Sequence, residues 1–486
     1  MPSGERSGTL NASRSEGRVR WTELLNREYA AAVVLVCFGV WLHAADGLFV
    51  ATMLPTIIPE IGGEAFVSWT VVLYEIGSIV AAASSGLLTL KFGIKRPMIM
   101  AAAIFACGCF ASALAPNMAV MLAGRALQGA GGGGLVAMSF VAVAVLFPAR
   151  LVVRAIAAIA ALWGTSAFLG PLFGSLFVTH SDWRFGFAFF GAKACLLICW
   201  IALAPRINER ERVEKVERRF PLMRLMLLCV AVLLVAVAGL EFDAFTTPAL
   251  LAAGTAALAG FLVLDGRRED NRLLPAMVYD IRRPANLTLA LIFLLHLATT
   301  GLITYGPFLL LAIHGSDVIT AGYAIACVSV GWTVSAILVS GAPESRDLIF
   351  ISAGVALVAI SVPGLLYSVQ YGPVWLIFLF ATLEGTGQGT SRAFLIRRAI
   401  LFAGPDDRER ISAAMPTLAR LGYALGAAIS GILANSAGFS AEVDPIQATR
   451  VARFVFLGGL PFAALALVAL AFLLSAAGGA RTGCQR

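Results

Sequence analysis

The stretch LQGAGGGG, residues 127–134, carries five glycines in its last six positions. Read as Gly129-x-Gly131-x-x-Gly134, it satisfies a dinucleotide-binding pattern, which needs a preceding strand, a tight turn and a helix in a soluble α/β unit. Here the glycines lie inside a continuous apolar run, residues 118–146. A run of that length crosses a bilayer as a helix. Inside lipid, small residues let helix backbones approach closely. Gly129 and Gly133, four apart, make one flat face, and Gly131, Gly132 and Gly134 broaden it. The stretch therefore predicts a packing and bending site in a membrane helix, not a phosphate loop.

The rest of the chain has the composition to match. Its 486 residues are 59% hydrophobic and 13% charged, with a mean hydropathy of +0.87. Soluble domains average about 25% charged residues, so this chain reads as an all-α integral membrane protein. The net charge of +8 sits in short loops between apolar runs, which is a topology signal and not a nucleic-acid surface. Seven of the eight cysteines fall within apolar runs and none has metal-type spacing with histidine. Residues 1–28 are polar and arginine-rich, with no cleavage site after the first apolar run, and read as a cytosolic tail.

Windows of membrane length give fourteen spans: 30–54, 66–90, 97–115, 118–146, 153–179, 185–204, 221–240, 248–265, 285–313, 318–340, 348–367, 373–391, 412–436 and 451–476. An even count puts both termini on one side. Arg184, Arg450 and Arg453 then fall at the outer edge and Arg125, Lys193 and Arg420 within spans. The other 30 of the 36 basic residues, Arg392 among them, fall inside. That bias makes both termini cytosolic. The chain also repeats itself. ALQGAG (126–131) recurs as TLEGTG (382–387), and the same offset of 256 carries GPLFGS (170–175) onto GAAISG (426–431). The expected units are a cytosolic tail, 1–28, and a six-helix half, 29–204. A segment of charged loops and two inserted helices follows, 205–284, then a second six-helix half, 285–476, and a tail, 477–486. Parallel halves of this kind point to a transporter with its substrate site between them.

The motifs resemble those of the major facilitator superfamily, in its 14-helix drug:proton antiporter branch, over residues 30–476. Asp46 and Pro55 match the family's first helix, and Trp69 and Tyr74 its second. GLLTLKFGIKR (86–96) stands where the family has its G-x-L-x-D-R-x-G-R-K/R loop, through Gly86, Lys91, Gly93, Lys95 and Arg96. RALQGAG (125–131) matches the fourth-helix motif through Arg125, Gln128 and Gly129. GPLFGS resembles the antiporter motif G-P-x-x-G-G through Gly170, Pro171 and Gly174. RERISAAMPTLARLGYALG (408–426) resembles the entry into the penultimate helix. Two departures stand out. The loop's usual Asp is Leu90 and its usual Arg is Ile94, so the charges that latch the cytosolic side in the family are absent.

Charge in hydrocarbon costs roughly 2.5–3.5 kcal/mol per residue on insertion scales, so each intramembrane ionisable group needs a partner, water or a function. Asp46, in the outer third of the first span with His43 on the same face, and Glu75, roughly 14 Å into the second at 1.5 Å per residue, are the proton-coupling candidates. The resemblance adds Arg125 to them. The alternatives are a solvated helix end for Asp46 and an ion pair with Arg125 or Lys193 for Glu75. Glu75, Glu384, Gln128, Tyr305 and His296 are the substrate-binding candidates. Glu384 is the repeat partner of Gln128. Lys193 matches no family motif. Arg420 is expected to pair with a Glu or with loop carbonyls.

No G-x-S-x-G, metal-ligand spacing or Walker lysine is present, so neither an enzyme nor a cofactor or metal is expected. The expected function is proton-coupled export of small amphipathic or cationic molecules by alternating access. The partners are the small-molecule substrate, protons and the lipid bilayer, with no nucleic acid, and the chain is expected to be a monomer in a bacterial inner membrane. Two alternatives stand beside it. One is dedicated export of a single endogenous metabolite, lipid or siderophore. The other is a transport-inactive membrane scaffold or sensor.

Overall fold

A computed structural model describes residues 21–24, 26, 28–203, 221–240, 243, 245–267, 284–340, 342–401, 408–440 and 444–483. The basic run 206–219, most of the N-terminal tail and the loop 268–283 lie outside the described residues, as does Cys484.

Apolar runs in lipid must satisfy their backbone groups internally, which helices do. No strand occurs among the described residues, and fourteen helices of 16 residues or more do. They are α1 (Ala30–Ile61), α2 (Trp69–Phe92), α3 (Lys95–Ala113), α4 (Met118–Leu146), α5 (Ala149–His180), α6 (Trp183–Leu203), α7 (Leu222–Val237), α8 (Thr246–Gly266), α9 (Pro284–His314), α10 (Val318–Val339), α11 (Asp347–Tyr371), α12 (Val374–Leu401), α13 (Arg408–Ser436) and α14 (Pro445–Gly483). Twelve stretches among the described residues are long and apolar enough to cross a membrane. The two helices left out are α7, at 16 residues, and α12, whose middle carries the polar run EGTGQGTSR, residues 384–392.

Several boundaries differ from the sequence expectation. α1 continues through Pro55 and Pro59 to Ile61, which moves Asp46 from an outer third to the middle of a 32-residue helix. α12 continues past residue 391 to Leu401, so Arg392 is a helical residue and not a loop one. α14 runs to Gly483, beyond the expected end at 476. Helix starts follow ordinary capping chemistry where the sequence offers it. Asn117 accepts from the Val120 amide at 3.1 Å at the start of α4, and Asp317 accepts from Thr320 at 3.2 Å at the start of α10. Gly93 closes α2 with φ of +72°, a conformation that only glycine adopts readily.

The glycine stretch packs closely, as the sequence predicts. A Cβ on Gly129 would collide with the Tyr74 backbone, one on Gly133 with Ser78, and one on Gly131 with Phe105 and Ala101. α4 is thus wedged against α2 on one side and α3 on the other. Ser78 Oγ donates to the Gly129 carbonyl at 3.0 Å across that contact. The second half repeats the arrangement. Gly385 and Gly389 of α12 meet the backbone of Val328 and Trp332 on α10, and Gly387 meets Gly354 on α11. The halves touch along α2 and α13, where Val72 and Ile79 pack with Leu421, Ala424 and Ala428. They also touch along α5 and α10, where Gly322 meets Pro171 and Gly164 meets Thr333. Asn435 reaches across to the Ala65 carbonyl at 3.0 Å, at the end that holds the α1–α2 turn. Helices α7 and α8 pair through Arg224 and Asp265, and the turn after α7 meets α13 through Gly239 and Ile432.

Candidate functional site

The close approach of α4 to α2 places Arg125, one turn before Gly129, over the Tyr74 ring at 4.3 Å. From there its Nη1 donates to Asp46 Oδ2 at 2.5 Å and to Gln128 Oε1 at 2.5 Å, and its Nε donates to the Thr70 carbonyl at 3.3 Å. Asp46 is 0% exposed and Arg125 2%. Three proton-coupling or binding candidates from the sequence, Asp46, Arg125 and Gln128, therefore form one buried cluster. Asp46 is a paired interior carboxylate, not a solvated helix end.

Tyr74 joins this cluster to a second. Its hydroxyl lies 2.7 Å from His43 Nδ1 and donates to the His43 carbonyl at 3.2 Å. On the far side of the imidazole, Arg420 Nη2 is 3.1 Å from His43 Nε2. A guanidinium has donors only, so Nε2 must accept and Nδ1 must carry the proton. Neutral His43 with a proton on Nδ1 satisfies every contact. Arg420 also donates Nη1 to Glu75 Oε2 at 3.2 Å. Glu75 pairs neither with Arg125 nor with Lys193 but with a residue of the opposite half. The chain Gln128–Arg125–Asp46, with Tyr74, His43, Arg420 and Glu75, runs unbroken from the first half into the second.

The second half holds its own polar seam between α9 and α12. Glu384, 2% exposed, lines a small cavity with Thr299, Leu302, Val362 and Phe456. Among the described residues no ion pair reaches Glu384. One turn on, Gln388 donates Nε2 to Thr299 Oγ1 at 3.3 Å. One turn further, Arg392 Nη1 lies 3.0 Å from His296 Nε2, while His296 Nδ1 faces the Ile292 carbonyl at 2.6 Å. The same logic makes His296 neutral, donating from Nδ1 and accepting at Nε2. The Arg392 guanidinium also stands over Trp332 at 5.4 Å, and His296 packs edge-on against Tyr423 at 4.6 Å.

The remaining candidates lie in packing contacts or near helix ends. Tyr305 is fully buried edge-on to Phe439, which also meets Phe308, at the end where Asn435 meets Ala65. Gly170 and Gly174 seat α5 on the Ala45, Leu48 and Phe49 turn of α1, and Pro171 meets Gly322. At the end of α2 Lys91 is exposed, and at the start of α3 Arg96 is exposed while Lys95 donates to the Ala202 carbonyl at 3.1 Å. Gly86 lies within α2. Lys193 stands in an aromatic box, 3.8 Å from the Phe189 ring centre and 3.9 Å from Trp41. Cation–π attraction gives that ammonium its compensation.

Reading the sequence missed Arg392, Trp332 and Tyr423. A signal was present. Glu384, Gln388 and Arg392 recur every four residues, which is one stripe of a helix.

Comparison with known proteins agrees with this architecture. The family described as Major Facilitator Superfamily matches residues 36–343. A probable multidrug-efflux transporter of Mycobacterium tuberculosis (strain H37Rv) is 29% identical over 427 residues, 86% of this chain and 90% of the relative. An MFS-type transporter of Penicillium citrinum is 27% identical over 289 residues, 57% of this chain and 49% of that one. Among solved structures, a bacterial homologue of the human lysosomal transporter Spinster, inward-facing and unoccupied, superposes with a TM-score of 0.63 at 13% identity. That match covers 93% of this chain and 97% of the other. A D-xylose–proton symporter gives 0.59 at 16% identity, covering 90% and 98%.

Proposed function

The chain belongs to the Major Facilitator Superfamily of membrane transporters, and from that premise we propose that it is a proton-coupled secondary exporter of small amphipathic or cationic molecules. It works by alternating access, as a monomer in a bacterial inner membrane with both termini cytosolic. The observation that carries this reading is the Glu75–Arg420 ion pair, at 3.2 Å between helices of opposite halves.

Glu75 is the group on which a proton does mechanical work. As a carboxylate it holds Arg420 and, through Arg420, ties α13 to α2 and α1. A proton on Glu75 removes the charge, leaves Arg420 with only the neutral His43 acceptor, and lets the two helices part at the α1–α2 turn end. Losing one partner of a buried ion pair is worth about 3–5 kcal/mol, which is on the order of the bias needed to move a two-state equilibrium from one side to the other. Asp46, with its partner Arg125 held over Tyr74, is the second proton station. Both stations share His43 and Tyr74 as neighbours, so a change at one is felt at the other. Glu384, with no ion pair among the described residues, is the carboxylate available to a cationic part of a substrate.

The test is flux in proteoliposomes under an imposed pH gradient. Substrate movement should follow the gradient and stop with Glu75→Gln or Asp46→Asn. Gradient-independent flux that survives both changes would overturn proton coupling. A second reading, dedicated export of one metabolite, draws support from Leu90 and Ile94, which replace the loop charges that serve as the cytosolic latch in relatives of this type. It predicts flux for one compound class in a broad panel and none for the rest.

A further inference from the structure

We infer that Arg392 is an anion-recognition group, and that its site among His296, Trp332 and Tyr423 takes molecules bearing a carboxylate, sulfonate or phosphate on a flat apolar body. The inference rests on the transporter reading above for the site's role, and adds a substrate class to it.

Three observations converge on Arg392. It lies nine residues from the Leu401 end of α12, roughly 14 Å into the helix at 1.5 Å per residue. A guanidinium stays charged at any physiological pH. Every other arginine in the polar network has a carboxylate: Arg125 has Asp46 and Arg420 has Glu75. Among the described residues, Arg392 has none. Among these residues its one side-chain hydrogen-bond partner is His296, a neutral acceptor whose Nδ1 donates to the Ile292 carbonyl. Glu384 does not neutralise it either. It sits two turns away on the same helix, facing its own cavity.

The repeat shows that this cation is specific to the second half. The offset of 256 that carries Gln128 onto Glu384 carries Arg125 onto Ala381 and Val136 onto Arg392. The first half keeps its arginine beside a carboxylate. The second half has lost that arginine and gained one about 16 Å further along the helix, at 1.5 Å per residue. Arg392 is partly exposed, and its hydrogen bond to His296 uses one of the five N–H donors of its fork. Trp332 at 5.4 Å holds the guanidinium plane, and His296 and Tyr423 supply the aromatic surface beside it. A planar fork with donors to spare matches a carboxylate, sulfonate or phosphate oxygen pair.

Binding of matched probes to the purified full-length chain in nanodiscs tests this. The probes are 1-pyrenebutyrate, its primary amide, and the pyrenylbutyl trimethylammonium ion, followed by tryptophan-to-pyrene energy transfer. The acid should bind the unmodified chain about tenfold or more tightly than the amide, the effect of one charge-assisted contact. Arg392→Gln should abolish that discrimination, Arg392→Lys should keep part of it, and neither should weaken the ammonium probe. Equal binding of acid and amide by the unmodified chain, or no binding of the acid, overturns the inference, as does discrimination that survives Arg392→Gln. Discrimination seen in phosphatidylcholine discs but lost in phosphatidylglycerol discs would assign the anion to a lipid headgroup and leave the site standing. Gradient-driven flux is measured on the same preparations. If flux fails while discrimination holds, the exporter reading is wrong and the anion site stands. If discrimination fails while flux of the ammonium probe persists, only the anion site is lost.

Discussion

Arg420 of α13 and Glu75 of α2 are 345 positions apart in the chain and 3.2 Å apart in the fold. Each belongs to a different half, and each is largely buried. The pair is the ionic part of a seam that also packs Val72 and Ile79 against Leu421, Ala424 and Ala428. A charged tie inside such a seam can be released by one proton without dismantling the seam.

The first prediction concerns that tie. Glu75→Gln and Arg420→Gln should each impair gradient-driven transport by an order of magnitude or more. The double variant should be no worse than the worse single one, because both remove the same interaction. A double-variant cycle on initial flux reads the coupling. Additive losses would mean the two residues act separately.

A second prediction separates structure from coupling at Asp46. Asp46→Asn leaves Arg125 buried without its counter-charge and should cost about 3–5 kcal/mol of stability. Removing both charges, as Asp46→Asn with Arg125→Gln, should recover part of that loss while transport stays abolished. Unfolding midpoints in detergent, set beside flux, distinguish the two effects. A double variant that transports normally would reduce the pair to scaffolding.

Third, the glycines of the two halves should behave alike. Gly129→Leu and Gly385→Leu both drive a side chain into the backbone of a neighbouring helix, at Tyr74 and at Val328. Both should abolish folded expression or transport. Gly47→Ala is the control, since nothing lies within 4 Å of its Cβ position, and it should be tolerated. Normal transport by either leucine variant would contradict close packing.

A fourth prediction addresses Lys193. Its aromatic box compensates a cation without a carboxylate, so Lys193→Met should retain most transport and stability, while Lys193→Glu places an anion against four ring faces and should destabilise the chain. Expression level and thermal midpoint report both. Abolished flux in a well-folded Lys193→Met variant would move Lys193 from scaffold to mechanism.

Much of this was legible in the sequence. Charge scarcity and run length mark a membrane chain, the offset of 256 marks its repeat, and the glycine spacing marks where α4 packs. The list of buried ionisable groups contained both acid–base pairs. The pairings themselves were not legible, since Glu75 meets a partner from the other half of the chain. Helix ends misled where local rules are overridden inside lipid. Pro55 and Pro59 look like stops, yet a membrane helix tolerates proline where neighbouring helices support it, so α1 runs on and Asp46 becomes central. The arginines at 392, 397 and 398 look like a loop. Asp347 at the start of α11 engages Arg397 and Arg398, at 3.3 Å for the latter. With those two charges matched, α12 continues and Arg392 turns inward.

The decisive measurement is a spin-label distance across the α1–α2 turn end, between labels on Thr56 of α1 and Ile446 of α14, both exposed, in a background without the native cysteines. If a proton on Glu75 releases Arg420, Glu75→Gln at neutral pH should populate the longer separation that the unmodified protein reaches only in acid, and should no longer respond to pH. Identical distance distributions in Glu75→Gln and the unmodified protein, both still shifting with pH, would contradict the release of Arg420 as the coupling step.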